Sequence, residues 1–407
     1  MSETTLTIDA LGHRGEGIAF HDGARVFVPF TLPGETLTAR ISGDRAEPLA
    51  WQKTSPERIT PECPHFGACG GCQLQHLAPA AYRSFKIGLI ETPLRRLGLE
   101  HAVTAFHDAS GTGRRRATLH ARREGAGYMK PRSHQVEPID FCPILVPALS
   151  EAPRIAAALG NLLGECDIAF TATTGGIDAA IRIKRHRARP DALSALFRRL
   201  KLVRLAMNGE PVLLNGRPTI RMGSAEIELP VGSFLQATEA GETLLADYVL
   251  RHAENARAVA DLFCGLGPFA LRLAERISVD AFDSDRPAIA ALAEAAPRTR
   301  GLKPVTPRAR DLFREPLTRF ELDAYDCLVL DPPRAGAEAQ VGEIAQSRVP
   351  RVVMLACDAR SFARDAATLV AAGFALDHLT GFDQFAFSSH VEIGAVFTRE
   401  SAKPRRR

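Results

Sequence analysis

The chain predicts an α/β protein in three parts, with a doubly wound sheet at the C-terminal end, a small β-barrel at the N-terminus and a β-rich region between them. Three observations carry this reading. Beyond Thr238, apolar runs (AVADLF, VDAF, YDCLVLD, RVVMLAC) alternate with alanine-rich helical stretches (FALRLAERI, RPAIAALAEAA, SFARDAATLVAAG), the pattern of a sheet with helices on its faces. From Thr4 to Lys53, apolar and polar positions alternate between glycine turns, as the short strands of a barrel do. At 407 residues the chain is longer than one ordinary core covers, so two or three domains are expected. The changes of pattern divide it into 1–55, 56–235 and 236–407.

Taken in order, the barrel segment is followed by a proline-bearing stretch, TSPERITPECPHFG, that leads into three closely spaced cysteines. Ala81 to Leu97 reads as an amphipathic helix, with Tyr82, Phe85, Leu89 and Leu94 near helical spacing, and the helix at 80–98 is a candidate to pack on the C-terminal domain. From Arg116 to Leu229 the chain is turn-rich, with helices expected at APRIAAALGNLL and DALSALFRRLK.

Composition excludes several classes. A hydrophobic fraction of 45% and a charged fraction of 24% are those of a globular protein. No run of about 18 apolar residues occurs, so no membrane partner is expected. The N-terminus lacks a secretory pattern, which makes a cytoplasmic location the expectation. The net charge is only +4, yet basic residues bunch at Arg114, Arg115, Arg116, Arg122 and Arg123, at Arg182, Lys184, Arg185, Arg187 and Arg189, and in the tail KPRRR. Such groups suit a phosphate backbone, although a solvated surface explains any one of them equally well.

At the start of the α/β region, AVADLFCGLGPFALRLA sets a turn, Gly265 to Gly267, between a buried strand and a helix. Glycines there let a ligand approach the backbone at the carboxyl end of a sheet. Asp283 ends the next strand, where a carboxylate can accept both hydroxyls of a ribose, and Asp311 follows one strand later. A nicotinamide site is the competitor. The turn lacks the third glycine of that fingerprint, and Asp-x-Phe-Cys-Gly-x-Gly resembles the adenosylmethionine site of class I methyltransferases.

Asp331-Pro332-Pro333-Arg334 ends the strand YDCLVLD; two prolines cannot continue a ladder, so the Asp is left at the sheet's edge. Methyltransferases of exocyclic amines carry an aromatic residue in a similar turn, and Arg334 argues against that chemistry. Cys357 ends RVVMLAC ahead of a helix, where a thiol pKa can be lowered, while the Asp358 carboxylate beside it would tend to raise it, and Glu392 lies on a strand near the C-terminus. A thiolate that adds to uracil carbon 6 makes carbon 5 nucleophilic, and a base must then remove the carbon 5 proton. Singly, such a Cys is more often a small core residue and such a Glu a surface one; together, behind DPPR, they point to catalysis.

DLFCGLG, DPPRAG, the Cys357 segment with its ARD, HVE at His390–Glu392 and GSFLQAT resemble the RNA uridine-5 methyltransferase family. The resemblance implies a class I (Rossmann-like) methyltransferase domain in which Gln236, Phe263, Asp283 and Asp311 contact S-adenosylmethionine. It also implies that Asp331 lies where cofactor and uracil meet, Cys357 is the nucleophile and Glu392 the base. The chain departs from the family's pattern at Pro268, at Cys357-Asp358-Ala359 and at Gln384-Phe385-Ala386-Phe387-Ser388.

The cysteines run Cys63-x5-Cys69-x2-Cys72, with Cys142 as a distant fourth. Four thiolates suit an iron–sulfur cluster or zinc. Resemblance to the branch that methylates large-subunit ribosomal RNA implies a 4Fe–4S cluster, and GHRGEGIAF with FVPFTLPGETL resembles the TRAM domain, an RNA-binding barrel with an OB-like architecture. Ribosomal RNA is therefore the expected substrate over the transfer RNA T-loop, and a monomer is implied. An RNA-binding protein with a decayed site is the alternative from another class.

Overall fold

The computed structural model describes residues 3–185 and 188–400; Arg187 and the tail KPRRR fall outside the described residues. The N-terminal strands Glu3–Thr7, Ala10–Leu11, Gly17–His21, Ala24–Val28, Thr36–Ser42 and Arg45–Lys53 form one six-stranded sheet. Its alternating pattern turns Leu6, Val26, Val28, Leu37 and Ala39 into a small separate core. Gly17 has no room for a side chain, because a Cβ there would lie 2.1 Å from Thr31 Oγ1.

The middle region is a seven-stranded sheet between Arg116 and Leu214, covered by the helices Ala152–Leu163 and Pro190–Leu200. Both helices begin with a proline in the first turn, where no amide hydrogen is needed. A two-stranded hairpin, Thr219–Met222 with Ala225–Glu228, leads into the last part of the chain.

The C-terminal sheet has eight strands in the spatial order Val305–Ala309, Val279–Asp283, Val259–Leu262, Cys327–Leu330, Arg351–Ala356, Glu392–Thr398, Ala375–Asp383 and Ala105–Asp108. The first five are mutually parallel, and Glu392–Thr398 runs antiparallel between its neighbours. Val259–Leu262 and Cys327–Leu330 are buried along their whole length, and Arg351–Ala356 along all but its first residue, as a sheet covered on both faces requires. The eighth strand comes from far upstream. With the helix Pro79–Arg96, whose Ile90 and Leu94 enter the core of the C-terminal domain, it fastens residues 79–108 to this sheet. Among the described residues, no helix is long and apolar enough to cross a membrane.

Candidate active site

At the carboxyl end of Val259–Leu262 the backbone becomes left-handed at Phe263, Gly265 and Gly267, with φ of +62°, +53° and +80°. Gly267 is required twice over, since a Cβ there would also lie 2.7 Å from a Leu292 methyl. Pro268 opens the helix Pro268–Leu273, a position that asks for no donor; this accounts for a proline at that departure. Asp283 is tied into the turn by the Gly265 and Asp285 amides, each at 2.8 Å. Asp311 accepts from the Phe313 amide at 3.0 Å, and the exposed Phe313 ring stands 5.4 Å from that of Phe263.

Behind the turn lies a residue that the sequence reading passed over. Asp261 is fully buried; one carboxylate oxygen accepts from the Ala270 amide at 2.9 Å and the other has no partner. Burial, then the charges of Asp331 and Asp283, push its carboxyl well above the usual range. Asp331 itself rises to about 7, from burial first and then from Asp283. Three carboxylates crowding one another in this way make a site that favours a cationic ligand.

The strand register brings the two other candidates together. Ala356 pairs with Ile393, so Cys357 and Glu392 leave the sheet side by side. A hydrogen-bonded chain then links this pair to Asp331. Gln236 Nε2 donates to Asp331 at 3.1 Å, and Gln384 Nε2 donates to Gln236 Oε1 at 2.6 Å and to Glu392 Oε1 at 3.0 Å. Gln384 belongs to one of the segments that depart from the family pattern, and nothing in its spacing marks it out.

The expected lowering of the Cys357 pKa is reversed: burial, then Glu392 and Asp331, push the thiol up to about 12, with the Arg334 guanidinium opposing them. The helix Ala359–Ala371 does not relieve it, because its first-turn amides at Arg360 and Ser361 are already bound by the Asp358 carboxylate. Glu392, 3% exposed, rises to about 8, from burial and then Asp331.

The loop ahead of Glu392 is held from the far side of the chain. Lys86 is wholly buried, and its ammonium donates to Asp383 Oδ1 at 2.7 Å, to the Phe385 carbonyl at 3.2 Å and to the His390 carbonyl. Three donors thus meet three acceptors. Tyr82 donates to the other Asp383 oxygen and accepts from the Phe387 amide, while the Phe387 carbonyl accepts from the Gln73 and Leu74 amides.

The first basic group is not a free patch. Arg115 is buried, paired with Glu242, and donates to the Gln236 carbonyl at 3.1 Å, while Arg122 pairs with Asp167 at 2.7 Å. Arg182, Lys184, Arg185 and Arg189 are exposed. Cys63, Cys69, Cys72 and Cys142 line one small cavity with Tyr128 and His65. Gly70 packs so closely on the Met129 carbonyl that a Cβ would lie 2.6 Å from it, which lets the cysteine loop fold down onto the middle region. Among the described residues, no three His, Cys, Asp or Glu side chains are gathered as ligands of a single metal ion.

Comparison with known proteins agrees with this architecture. Residues 302–400 match the tRNA (Uracil-5-)-methyltransferase family and residues 2–49 the TRAM domain. The chain is 40% identical to an uncharacterized RNA methyltransferase of Rhizobium meliloti, over 98% of this chain and all of that one. It is 34% identical to the 23S rRNA (uracil(1939)-C(5))-methyltransferase of Halomonas elongata, over 95% of this chain and 88% of the relative. The crystal structure of Pyrococcus abyssi tRNA (uracil-54, C5)-methyltransferase, determined with S-adenosyl-L-homocysteine, shares the fold with a TM-score of 0.76 at 20% identity, covering 97% of this chain and 100% of that one. The protein is an RNA methyltransferase with a Rossmann-like catalytic domain and a TRAM barrel. It belongs to the RNA (uracil-5-)-methyltransferase family.

Proposed function

We propose that this enzyme methylates carbon 5 of a uridine in 23S ribosomal RNA, with S-adenosylmethionine as donor. The observation that carries the proposal is the hydrogen-bonded chain Asp331–Gln236–Gln384–Glu392 beside the Cys357 thiol at one sheet edge. Ribosomal RNA is favoured over transfer RNA because the Halomonas relative named for that substrate is 34% identical over 95% of this chain, whereas the Pyrococcus transfer RNA enzyme is 20% identical.

The residues at the glycine turn fit S-adenosylmethionine. The unpartnered buried oxygen of Asp261 and the crowded carboxylates of Asp283 and Asp331 suit a ligand bearing positive charge. S-adenosylmethionine supplies a methyl group on a positively charged sulfur. Asp283 would accept from its ribose, and Phe263, Gly265, Gly267, Asp311 and Gln236 would hold the rest of the molecule. Cys357 Sγ adds to uracil carbon 6 and so raises electron density on carbon 5. Asp331, once it faces a cation, no longer opposes the thiolate, and Arg334 favours it further. After methylation Glu392 removes the carbon 5 proton and Cys357 leaves.

Cys63, Cys69, Cys72 and Cys142, which line one cavity, would be the donor set of a 4Fe–4S cluster, and such a cluster would brace the loop that holds Phe387. Zinc is the competing occupant, and the iron and sulfide content of anaerobically purified protein separates the two.

The test is incubation with methyl-tritiated S-adenosylmethionine and unmodified ribosomal or transfer RNA, followed by nucleoside analysis. Label in 5-methyluridine from ribosomal RNA, absent with Cys357→Ala, is the expected result. Label only on transfer RNA would reassign the substrate, and label surviving in Cys357→Ala would overturn the mechanism.

A further inference from the structure

We propose that Gln384 is a positioning residue which decides which oxygen of Glu392 receives the carbon 5 proton. The inference rests on the reading of Glu392 as the base. Gln384 is 1% exposed, and every hydrogen-bonding direction of its amide is accounted for. Its oxygen faces the residues just ahead of the helix Glu239–His252, accepting from the Ala237 amide at 2.8 Å and lying 3.5 Å from that of the N-cap Thr238. Gly241 makes the approach possible, because a Cβ there would lie 2.8 Å from that oxygen.

Backbone amides cannot accept, so the amide of Gln384 cannot be flipped, and its NH2 must face the two side-chain acceptors. One N–H goes to Gln236 Oε1 and the other to Glu392 Oε1. Two consequences follow. Gln236 must turn its own NH2 towards Asp331, as it does at 3.1 Å. Glu392 Oε1 is engaged as an acceptor, which leaves Oε2, the oxygen without that donor, as the more basic one to receive an arriving proton. In that step the C5–H bond breaks, its electron pair forms the carbon 5–carbon 6 double bond, and the C6–S pair departs with Cys357. Asp331, Arg334 and Cys357 are the charged or titratable groups that face Glu392.

The test uses the full chain and RNA transcripts carrying uridine tritiated at carbon 5, so that proton loss is read as tritium released to water. Gln384→Met keeps the shape and removes both donors, and Gln384→Asn keeps the amide on a stem too short for both partners. Each should release tritium about tenfold more slowly, the effect of losing one hydrogen bond to a charged group, while a denaturing gel shows methylated RNA accumulating covalently on the protein. The acidic limb of the release rate should also move to higher pH, because the Gln384 hydrogen bond lowers the Glu392 pKa. Wild-type release with an unmoved limb would overturn the proposal, as would an equal loss at every pH without accumulated adduct. RNA containing 5-fluorouridine separates this from failure of the underlying reading. If the wild type forms no adduct with that RNA, the Cys357–Glu392 mechanism is wrong; if it does while the Gln384 variants behave as wild type, only the role of Gln384 is.

Discussion

Replacing Lys86 by Met should destabilise the catalytic domain by about 3–5 kcal/mol, the cost of removing one partner from a buried ion pair. The structure sets this magnitude. Lys86 has no exposed surface and the Asp383 side chain only 6%, so water neither screens the pair nor replaces it, and the low value of surface ion pairs does not apply. The Met variant would leave the Asp383 carboxylate with Tyr82 alone and strip the Phe385 and His390 carbonyls of a donor. Urea unfolding followed by intrinsic fluorescence measures the loss as a lowered midpoint. The double variant Lys86→Met, Asp383→Leu should regain much of it, because an apolar pair of matching volume leaves no stranded charge. A single variant within about 1 kcal/mol of wild type would refute the argument, since it would mean that the ammonium is dispensable to the loop it spans.

Glu392→Gln should accept a methyl group in one turnover and then stall as a covalent RNA adduct, seen as a slow band on a denaturing gel. Stability should also respond to pH through this residue. Its folded pKa is raised from 4.5 to about 8, so the folded chain keeps a proton that the unfolded chain has already lost. The contribution is therefore fully present below the unfolded value and is lost as pH rises through about 8; Glu392→Gln should flatten that slope in urea midpoints. Gly267→Ala forces a side chain into φ +80° against Leu292 and should cost about 1–3 kcal/mol, with weaker S-adenosylmethionine binding by calorimetry. Cys142→Ala should reduce the iron and sulfide bound by anaerobically purified protein, and an unchanged content would remove Cys142 from the ligand set.

The features legible in the sequence were those with local causes. The strand-turn-helix at Gly265–Pro268, the DPPR stop and the helices Ala152–Leu163 and Pro190–Leu200 each follow from backbone chemistry within a few residues. Asp261 stands in the motif AVADLFCGLGPFALRLA together with its amide partner Ala270, yet its raised pKa depends on Asp283 and Asp331 from two other strands that no short window contains. Gln384 and Lys86 were invisible for the same reason, since their partners lie 148 and 297 residues away in the chain. The thiol of Cys357 departs from the sequence reading because strand ends and helix starts favour a low pKa, whereas burial and then the carboxylates of Glu392 and Asp331 raise it. Arg115 stood in a basic group that suits either a phosphate backbone or a solvated surface, and it is neither, because sequence does not distinguish a surface guanidinium from one buried against Glu242.

The eighth strand and its helix give the enzyme an order of assembly. Among the described residues Ala105–Asp108 pairs with Ala375–Asp383 alone, and the acceptors of Lys86 lie 297 to 304 residues further along the chain. During translation the apolar face of the helix Pro79–Arg96, with Ile90 and Leu94, must wait for a partner that does not yet exist. Long-range closure of this kind is slow and leaves apolar surface open in the interim. A chain that has built only its barrel and middle sheet therefore still lacks the means to hold Glu392, and catalytic competence waits on the docking of residues 79–108 against Ala375–Asp383.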